Sequence, residues 1–219
     1  MKDRVLSIIN EDTIDVSTLK NLLSDMNILD ISEIFDELEK EQIIQVFRIL
    51  PKAVAADVFA YIDIENQQMI IEALTDMEIG EIMDKLFVDD AVDFIEEMPA
   101  NVVRRVLKNV PPEKRRLINQ FLQYPEESAG SLMTTEYVEL HENTTVRKAF
   151  GYIRRTGLTK ETIYTCYVIR RDRLLVGVVS AKTLMLSSPW DKIGDIMDTN
   201  LVFANTTDDQ ESVADKFRV

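Results

Sequence analysis

The stretch Pro51-Lys52-Ala53-Val54-Ala55-Ala56-Asp57-Val58-Phe59-Ala60-Tyr61-Ile62, continuing Asp63-Ile64-Glu65-Asn66-Gln67-Gln68-Met69-Ile70-Ile71-Glu72-Ala73-Leu74, decides the fold. Its apolar residues recur at three- and four-residue spacing, which gathers them on one helical face. Set beside Asn27–Leu50, Thr75–Met98 and Pro99–Leu122, it aligns without gaps at a period of 24 residues. The eighth positions are then Ile34, Val58, Ile82 and Val106, and the ninth Phe35, Phe59, Met83 and Leu107. The twelfth are Leu38, Ile62, Leu86 and Val110; the twentieth Val46, Ile70, Phe94 and Ile118; the last Leu50, Leu74, Met98 and Leu122.

Each unit therefore reads as two short helices, too small to bury an apolar face without stacked neighbours. Upstream, Leu19, Leu22, Leu23 and Met26 look like half of one further unit. Pro51 and Pro99 open units where a first-turn proline sacrifices no hydrogen bond, and Pro111 and Pro112 mark the turn inside the last unit. The expectation is an α-solenoid over roughly residues 15 to 123, its Leu, Ile, Phe and Met stripe serving as core.

Past Gln123-Tyr124-Pro125 the pattern changes. Thr, Val and Ile increase, with period-two stretches at Tyr137–Leu140 and Thr165–Ile169 and a buried-strand run at Leu174–Ser180. Val146 to Arg155 reads as a helix capped by Thr144 or Thr145, Arg170 to Arg173 as a hairpin turn, and Ala181 to Ser187 as a second helix. Strand, helix, strand, strand, helix is the order of a CBS motif. Gly130–Thr135 is echoed by Gly194–Thr199, Tyr137-Val138 by Leu201-Val202, and Ala149-Phe150 by Lys216-Phe217. A second motif thus starts near residue 193 and is expected to be truncated, leaving apolar surface exposed. The expected class is mainly α with an α/β part: a solenoid domain over 1–124 and a CBS domain over 125–219, its first motif spanning about 128–190.

Composition limits function. Of 219 residues, 39 are Asp or Glu and 25 Lys or Arg, a net charge of −14 that repels nucleic acid and anionic lipid and attracts cations. A single cysteine, Cys166, forms no internal disulfide, which suits a reducing compartment. Met1 to Ile9 is too short and polar for a secretory signal, and no run approaches the ~20 apolar residues of a membrane helix. His141, the sole histidine, cannot make a zinc site with Cys166 alone, no glycine loop suits a phosphate, and the carboxylates are too numerous to single out a catalytic pair. An enzyme is not expected. Trp190 is either an interface anchor or part of a partly packed loop.

The segment Tyr124-Pro125-Glu126-Glu127-Ser128-Ala129-Gly130-Ser131-Leu132-Met133-Thr134-Thr135-Glu136-Tyr137-Val138 resembles the junction between the N domain and CBS domain of MgtE magnesium channels. Glu161–Tyr164, Asp208–Glu211 and Leu50–Val58 are similar to the same family. The resemblance spans nearly the whole chain. It implies a homodimer joined through its CBS domains, a transmembrane pore domain of the same protein, a place at the cytoplasmic face of the membrane, and closure of the pore when internal Mg²⁺ is high.

Mg²⁺ takes oxygen ligands, often one or two carboxylates with water completing the shell. Asp89, Asp90 and Asp93 cluster at a helix start, where Asp89 and Asp93 share a face at i and i+4, and Asp57 lies in the preceding unit. Asp208, Asp209 and Glu211 stand at the entrance to a helix in the CBS region. The resemblance implies that Asp57, Asp89, Asp93, Asp209 and Glu211 hold Mg²⁺ between the domains. The ordinary explanation for acids at helix starts is capping and the macrodipole. The competing function is an α-solenoid interaction scaffold with a nucleotide-responsive CBS module. Against it, Thr183 stands where a ribose-binding aspartate is expected after Gly177-Val178-Val179-Ser180.

Overall fold

Ten helices build the first part of the chain in the computed structural model, which describes residues 1–11, 13–52 and 54–218. They are α1 (Lys2–Ile9), α2 (Val16–Ser24), α3 (Ile28–Phe35), α4 (Lys40–Ile49), α5 (Ala55–Tyr61), α6 (Ile64–Ala73), α7 (Asp76–Lys85), α8 (Val88–Glu96), α9 (Ala100–Asn109) and α10 (Pro112–Phe121). The second helix of every unit starts 24 residues after the last, at Val16, Lys40, Ile64, Val88 and Pro112. First helices pack in succession, α1 on α3, α3 on α5, α5 on α7 and α7 on α9, while α2 packs on α4, α4 on α6 and α8 on α10.

The half unit is a whole one. α1 supplies its first helix, burying Val5, Ile8 and Ile9 against its neighbours. By the 24-residue period, the eighth and ninth positions of that unit would fall on Asn10 and Glu11. The apolar pair sits two residues earlier, which hid the helix from the alignment.

Of the twenty apolar repeat positions, seventeen are buried, and Leu38, Leu107 and Leu122 are half-buried. The stripe is core. A row of edge-to-face aromatic contacts threads it: Phe35 to Phe47 at 6.3 Å, Phe47 to Phe59 at 6.1 Å, and Phe59 to Phe94 at 5.2 Å between ring centroids. Fully burying each such ring contributes roughly 1.5–3 kcal/mol.

Helix ends are closed in two ways. Asp15, Asn27, Asp63 and Thr75 accept backbone N–H bonds at N-termini. At C-termini, cations from other units take the free carbonyls: Arg105 donates to the Ile71 carbonyl at 3.1 Å and to that of Leu74 while pairing with Asp76 at 2.9 Å, and Lys114 donates to the Leu86 carbonyl. Pro99 is the N-cap of α9 and Pro112 the first residue of α10. Pro51 departs from expectation. α5 begins four residues later, and the Pro51 carbonyl accepts from Val54 at 2.9 Å and Ala55 at 3.1 Å, forming a turn ahead of the helix.

Residues Met1–Gln123 form one compact unit and Tyr124–Val219 another. In the second, β1 (Val138–His141) pairs in parallel with β2 (Thr165–Ile169), which pairs antiparallel with β3 (Leu175–Ser180). The crossover helix α11 (Val146–Thr156) and α12 (Ala181–Leu186) complete the strand, helix, strand, strand, helix order. Val138, Leu140, Val146, Ala149, Cys166, Val168, Val179, Leu184 and Ile193 make the core. Thr145 is the N-cap of α11, but its side chain makes no capping bond. His141 ends β1, its Nδ1 3.0 Å from the Ile169 carbonyl.

Two short helices follow, α13 (Ile193–Ile196) and α14 (Gln210–Lys216). Between them Asp198 exchanges two backbone hydrogen bonds with Val178, at 2.8 and 2.9 Å, extending the sheet past β3. Gly177 permits this approach, since a Cβ there would lie 2.6 Å from the Met197 sulfur. The start of the echoed motif is tied back to the junction: the Ala129 and Gly130 amides donate to Asp208 and Thr206, each at 2.8 Å. Val202, Phe203 and Phe217 stay exposed, in keeping with the expected uncovered apolar surface.

Candidate functional site

The repeat is its own control for the acidic candidates. Asp89, in the first turn of α8, occupies the fifteenth position of its unit, where three of the other four carry Glu41, Glu65 and Glu113, each in the first turn of its helix, and the α1–α2 unit carries Ser17. An acid there is what a helix N-terminus favours in any unit. Asp89 is half-buried, with Oδ1 closed off from solvent. Asp93 has no such precedent. Its nineteenth position holds Gln45, Met69 and Leu117 elsewhere.

Asp57, on α5, occupies the seventh position, matched by Glu33, Glu81 and Arg105. Glu33 pairs with Lys2 at 3.2 Å and Glu81 with Lys52 at 2.7 Å. Among the described residues neither Asp57 nor Asp93 has an ion-pair or hydrogen-bond partner. Both reach solvent, yet surrounding protein removes enough water to push each carboxyl above the ordinary aspartate range; for Asp57 the nearby Lys85 ammonium pulls the other way. α5 and α8 pack on each other. These are partly dehydrated oxygen donors held in no ion pair among the described residues, a donor set that fits a hard divalent cation. No group of three or more His, Cys, Asp or Glu side chains converges as a metal cage among the described residues.

In the second unit Asp208, Asp209 and Glu211 stand at the start of α14, as expected, but they have different jobs. Asp208 holds the loop together: it accepts from Lys216 Nζ at 3.0 Å and from the Asn205 amide at 3.0 Å, which holds its carboxyl below the usual range. Asp209 is the N-cap, Oδ1 accepting the Glu211 N–H at 2.8 Å, and the residue is exposed. The Glu211 carboxylate is exposed and has no partner among the described residues.

The charge is divided unequally. Residues 1–123 hold 25 acids against 13 bases, a net −12, and residues 124–219 hold 14 against 12, a net −2.

Sequence reading missed the cations Lys85 and Arg105. A signal existed for Arg105, the one base at a position where Glu33, Asp57 and Glu81 stand in other units. Lys85 offered none, because its neighbourhood to Asp57 is tertiary. Of the residues set aside, Cys166 is buried in β2, its thiol pushed up to about 11 by burial. Thr183 is occupied as part of the α12 cap, its hydroxyl 2.9 Å from that of Ser180 and its N–H donating to Ser180 Oγ. Trp190 is 71% exposed beneath the Arg147 guanidinium, so it is not packed into its loop.

A stacked-helix domain followed by a CBS motif defines the class: a chain built from these two domain types. The model of the MgtE intracellular N domain matches residues 26–127, and that of the CBS domain residues 129–188. The magnesium transporter MgtE of Thermus thermophilus is 33% identical over 204 residues, covering 91% of this chain and 45% of the relative. That of Bacillus subtilis is 27% identical over 205 residues, covering 88% and 46%. The chain therefore spans a little under half the length of these relatives. The crystal structure of the cytosolic domain of the Mg²⁺ channel MgtE in complex with ATP superposes with a TM-score of 0.87 at 31% identity, over 100% of this chain and 88% of that one. That of the soluble part of a magnesium transporter gives 0.90 at 25%, over 99% and 85%. The chain belongs to the MgtE family, spanning its N domain and the CBS region that follows. Among the described residues no helix is long and apolar enough to cross a membrane.

Proposed function

We propose that this chain is the Mg²⁺-sensing and gating region of a magnesium channel or transporter, at the cytoplasmic face of the membrane, which closes the pore when internal Mg²⁺ is high. Its domains are taken as 1–124 and 125–219, its partners as the pore domain of the same protein and a second copy joined through the CBS region. Asp57, Asp89 and Asp93 on the helical side, with Asp209 and Glu211 on the CBS side, are the residues that would hold the ion. The carrying observation is that Asp57 and Asp93 are partly dehydrated carboxylates without an ion-pair partner among the described residues.

Acidic faces brought together without a counter-ion repel; with a divalent cation held between them, the same carboxylates attract. The closed arrangement must bind the ion more tightly than the open one, otherwise nothing shifts. With a net charge of only −2 on the second unit, the repulsion is local, between the named carboxylates, and not between two uniformly charged bodies. Within about a Debye length, ~8 Å at physiological salt, such local terms survive screening.

Small-angle scattering with and without Mg²⁺ tests this. Millimolar Mg²⁺ should reduce the radius of gyration, and Asp89→Ala with Asp93→Ala should abolish the response while the fold survives. An unchanged radius in the wild type, or full compaction in the double variant, removes these residues from sensing. Nucleotide binding is the second reading, favoured by the related structure in complex with ATP. The engaged Thr183 supplies no carboxylate for a ribose in the first motif.

A further inference from the structure

The negative charge of the helical unit stops abruptly at residue 98. Residues 1–98 hold 24 acids and 7 bases, a net −17; residues 99–123 hold one acid, Glu113, against Arg104, Arg105, Lys108, Lys114, Arg115 and Arg116, a net +5. We propose that the last helix pair, α9–α10, is an electrostatic docking face for the anionic surface of a lipid bilayer.

Two of the six cations are structural, since Arg105 and Lys114 close the ends of α6 and α7. The other four are not. Arg104, Lys108 and Arg116 are exposed and Arg115 half-buried, and none forms an ion pair among the described residues. Arg104 and Lys108 share one face of α9 at i and i+4. Arg115 and Arg116 border a shallow groove of about 400 Å³ along α10, otherwise lined by Pro112, Asn119, Gln120 and Gln123. Guanidinium and amide donors side by side suit phosphate and carboxylate oxygens.

A terminal repeat does need a polar outer face, and the repeat shows the substitution plainly. The seventeenth and eighteenth positions, Leu19 and Lys20, Ile43 and Ile44, Gln67 and Gln68, Ala91 and Val92 in the earlier units, with Lys20 the one base among them, become the basic pair Arg115 and Arg116 in the last. Solubility explains polarity but not sign. Every earlier unit is solvated mainly by acids, so a switch to four uncommitted bases against one acid calls for a partner of negative charge. A bilayer suits it better than a groove-filling peptide, because none of the strongly exposed large apolar side chains lies between Met77 and Leu132. Contact is then charge to charge on a flat surface, without insertion. The chain-wide −14 opposes anionic surfaces at long range, and the segregation of charge within the helical unit favours approach by the α9–α10 face.

The inference rests on the reading of the chain as part of a membrane transporter, and its test is run in chelator so that Mg²⁺ sensing plays no role. The chain is sedimented with phosphatidylcholine vesicles containing about one-third phosphatidylserine, at low salt and at about 0.5 M salt. Each cation near such a surface contributes a factor of roughly five to affinity. Arg104→Glu, Lys108→Glu, Arg115→Glu and Arg116→Glu together should weaken binding by more than about a hundredfold, as should high salt. A thermal melt checks that the variant folds, the two end-capping cations being untouched. Equal binding to pure phosphatidylcholine, or wild-type binding by the variant, overturns the proposal. So does salt-sensitive self-association without vesicles that the variant loses, which would assign this face to the acidic residues of a second copy. A failure here leaves the Mg²⁺-dependent compaction to stand or fall by itself.

Discussion

The two units use charge in opposite ways. In the helical unit charge is segregated, with −17 over the first 98 residues and +5 over the next 25. The CBS unit is close to balanced, and most of its notable acids are tied into the fold: Asp208 to Lys216 and Asn205, Glu139 to Arg173, Asp172 to Arg170. A stack of helices puts half its surface in water and buries only a stripe, so its polar faces are free to carry any sign. A small α/β unit with tight loops spends its acids on turns and caps. Net charge of the whole chain is therefore a poor guide to either unit, and position in the repeat is a better one.

The sharpest way to break the comparison is through the packing that makes the first unit a stack. Phe59 is fully buried and touches both Phe47 and Phe94. Phe59→Ala should cost about 3–5 kcal/mol. If the units are separate in stability as well as in packing, calorimetry will show the helical transition moving down while the CBS transition stays. A single transition shifting as a whole would mean that the two unfold together.

A smaller effect, opposite in sign, is expected at the acids. A carboxyl whose folded pKa is raised binds its proton more tightly in the folded state. Its contribution to stability is fully present below the unfolded pKa and is lost as pH rises through the folded one. For Asp57 and Asp93, both raised by burial, the ionised forms at neutral pH oppose folding. Asp57→Asn and Asp93→Asn should therefore raise the melting temperature in chelator at pH 7, shrink that gain as pH falls through the carboxylate range, and blunt any stabilisation by Mg²⁺. Lower melting temperatures in chelator would show these acids to be structural after all.

What could be read from the residues alone divides along similar lines. The period, the buried stripe and the strand order were legible because each is a local pattern that burial enforces. α1 was not, because a two-residue offset of Ile8 and Ile9 breaks the alignment although the helix packs as its counterparts do. The kinds of candidate residue were legible too, but not their standing. Asp89 and Asp93 look alike in sequence, and only the neighbouring units show that one repeats a helix-start acid and the other does not. Asp208 and Asp209 are likewise indistinguishable until Lys216 is seen reaching one of them. Arg105 needed the fold, since its carbonyl partners lie some thirty residues away in sequence.

The smallest effect separates the two explanations for Asp209. Its Oδ1 caps α14, a helix of seven residues with no buried side chain, so the cap carries much of what order that helix has. Losing a cap costs typically ~1 kcal/mol. Asp209→Ala should accelerate hydrogen exchange at the Glu211 and Ser212 amides by several-fold, whether or not an ion is ever held there. Asp209→Ser keeps an oxygen acceptor at the N-cap and removes the negative charge. If Asp209 is only a cap, the serine variant should match the wild type in both exchange and Mg²⁺-dependent compaction. If it also belongs to the sensing set, exchange will be normal while a higher Mg²⁺ concentration is needed to compact the protein. Loss in the alanine variant with full retention in the serine variant would remove Asp209 from the sensing residues and leave Glu211 as the remaining candidate on the CBS side.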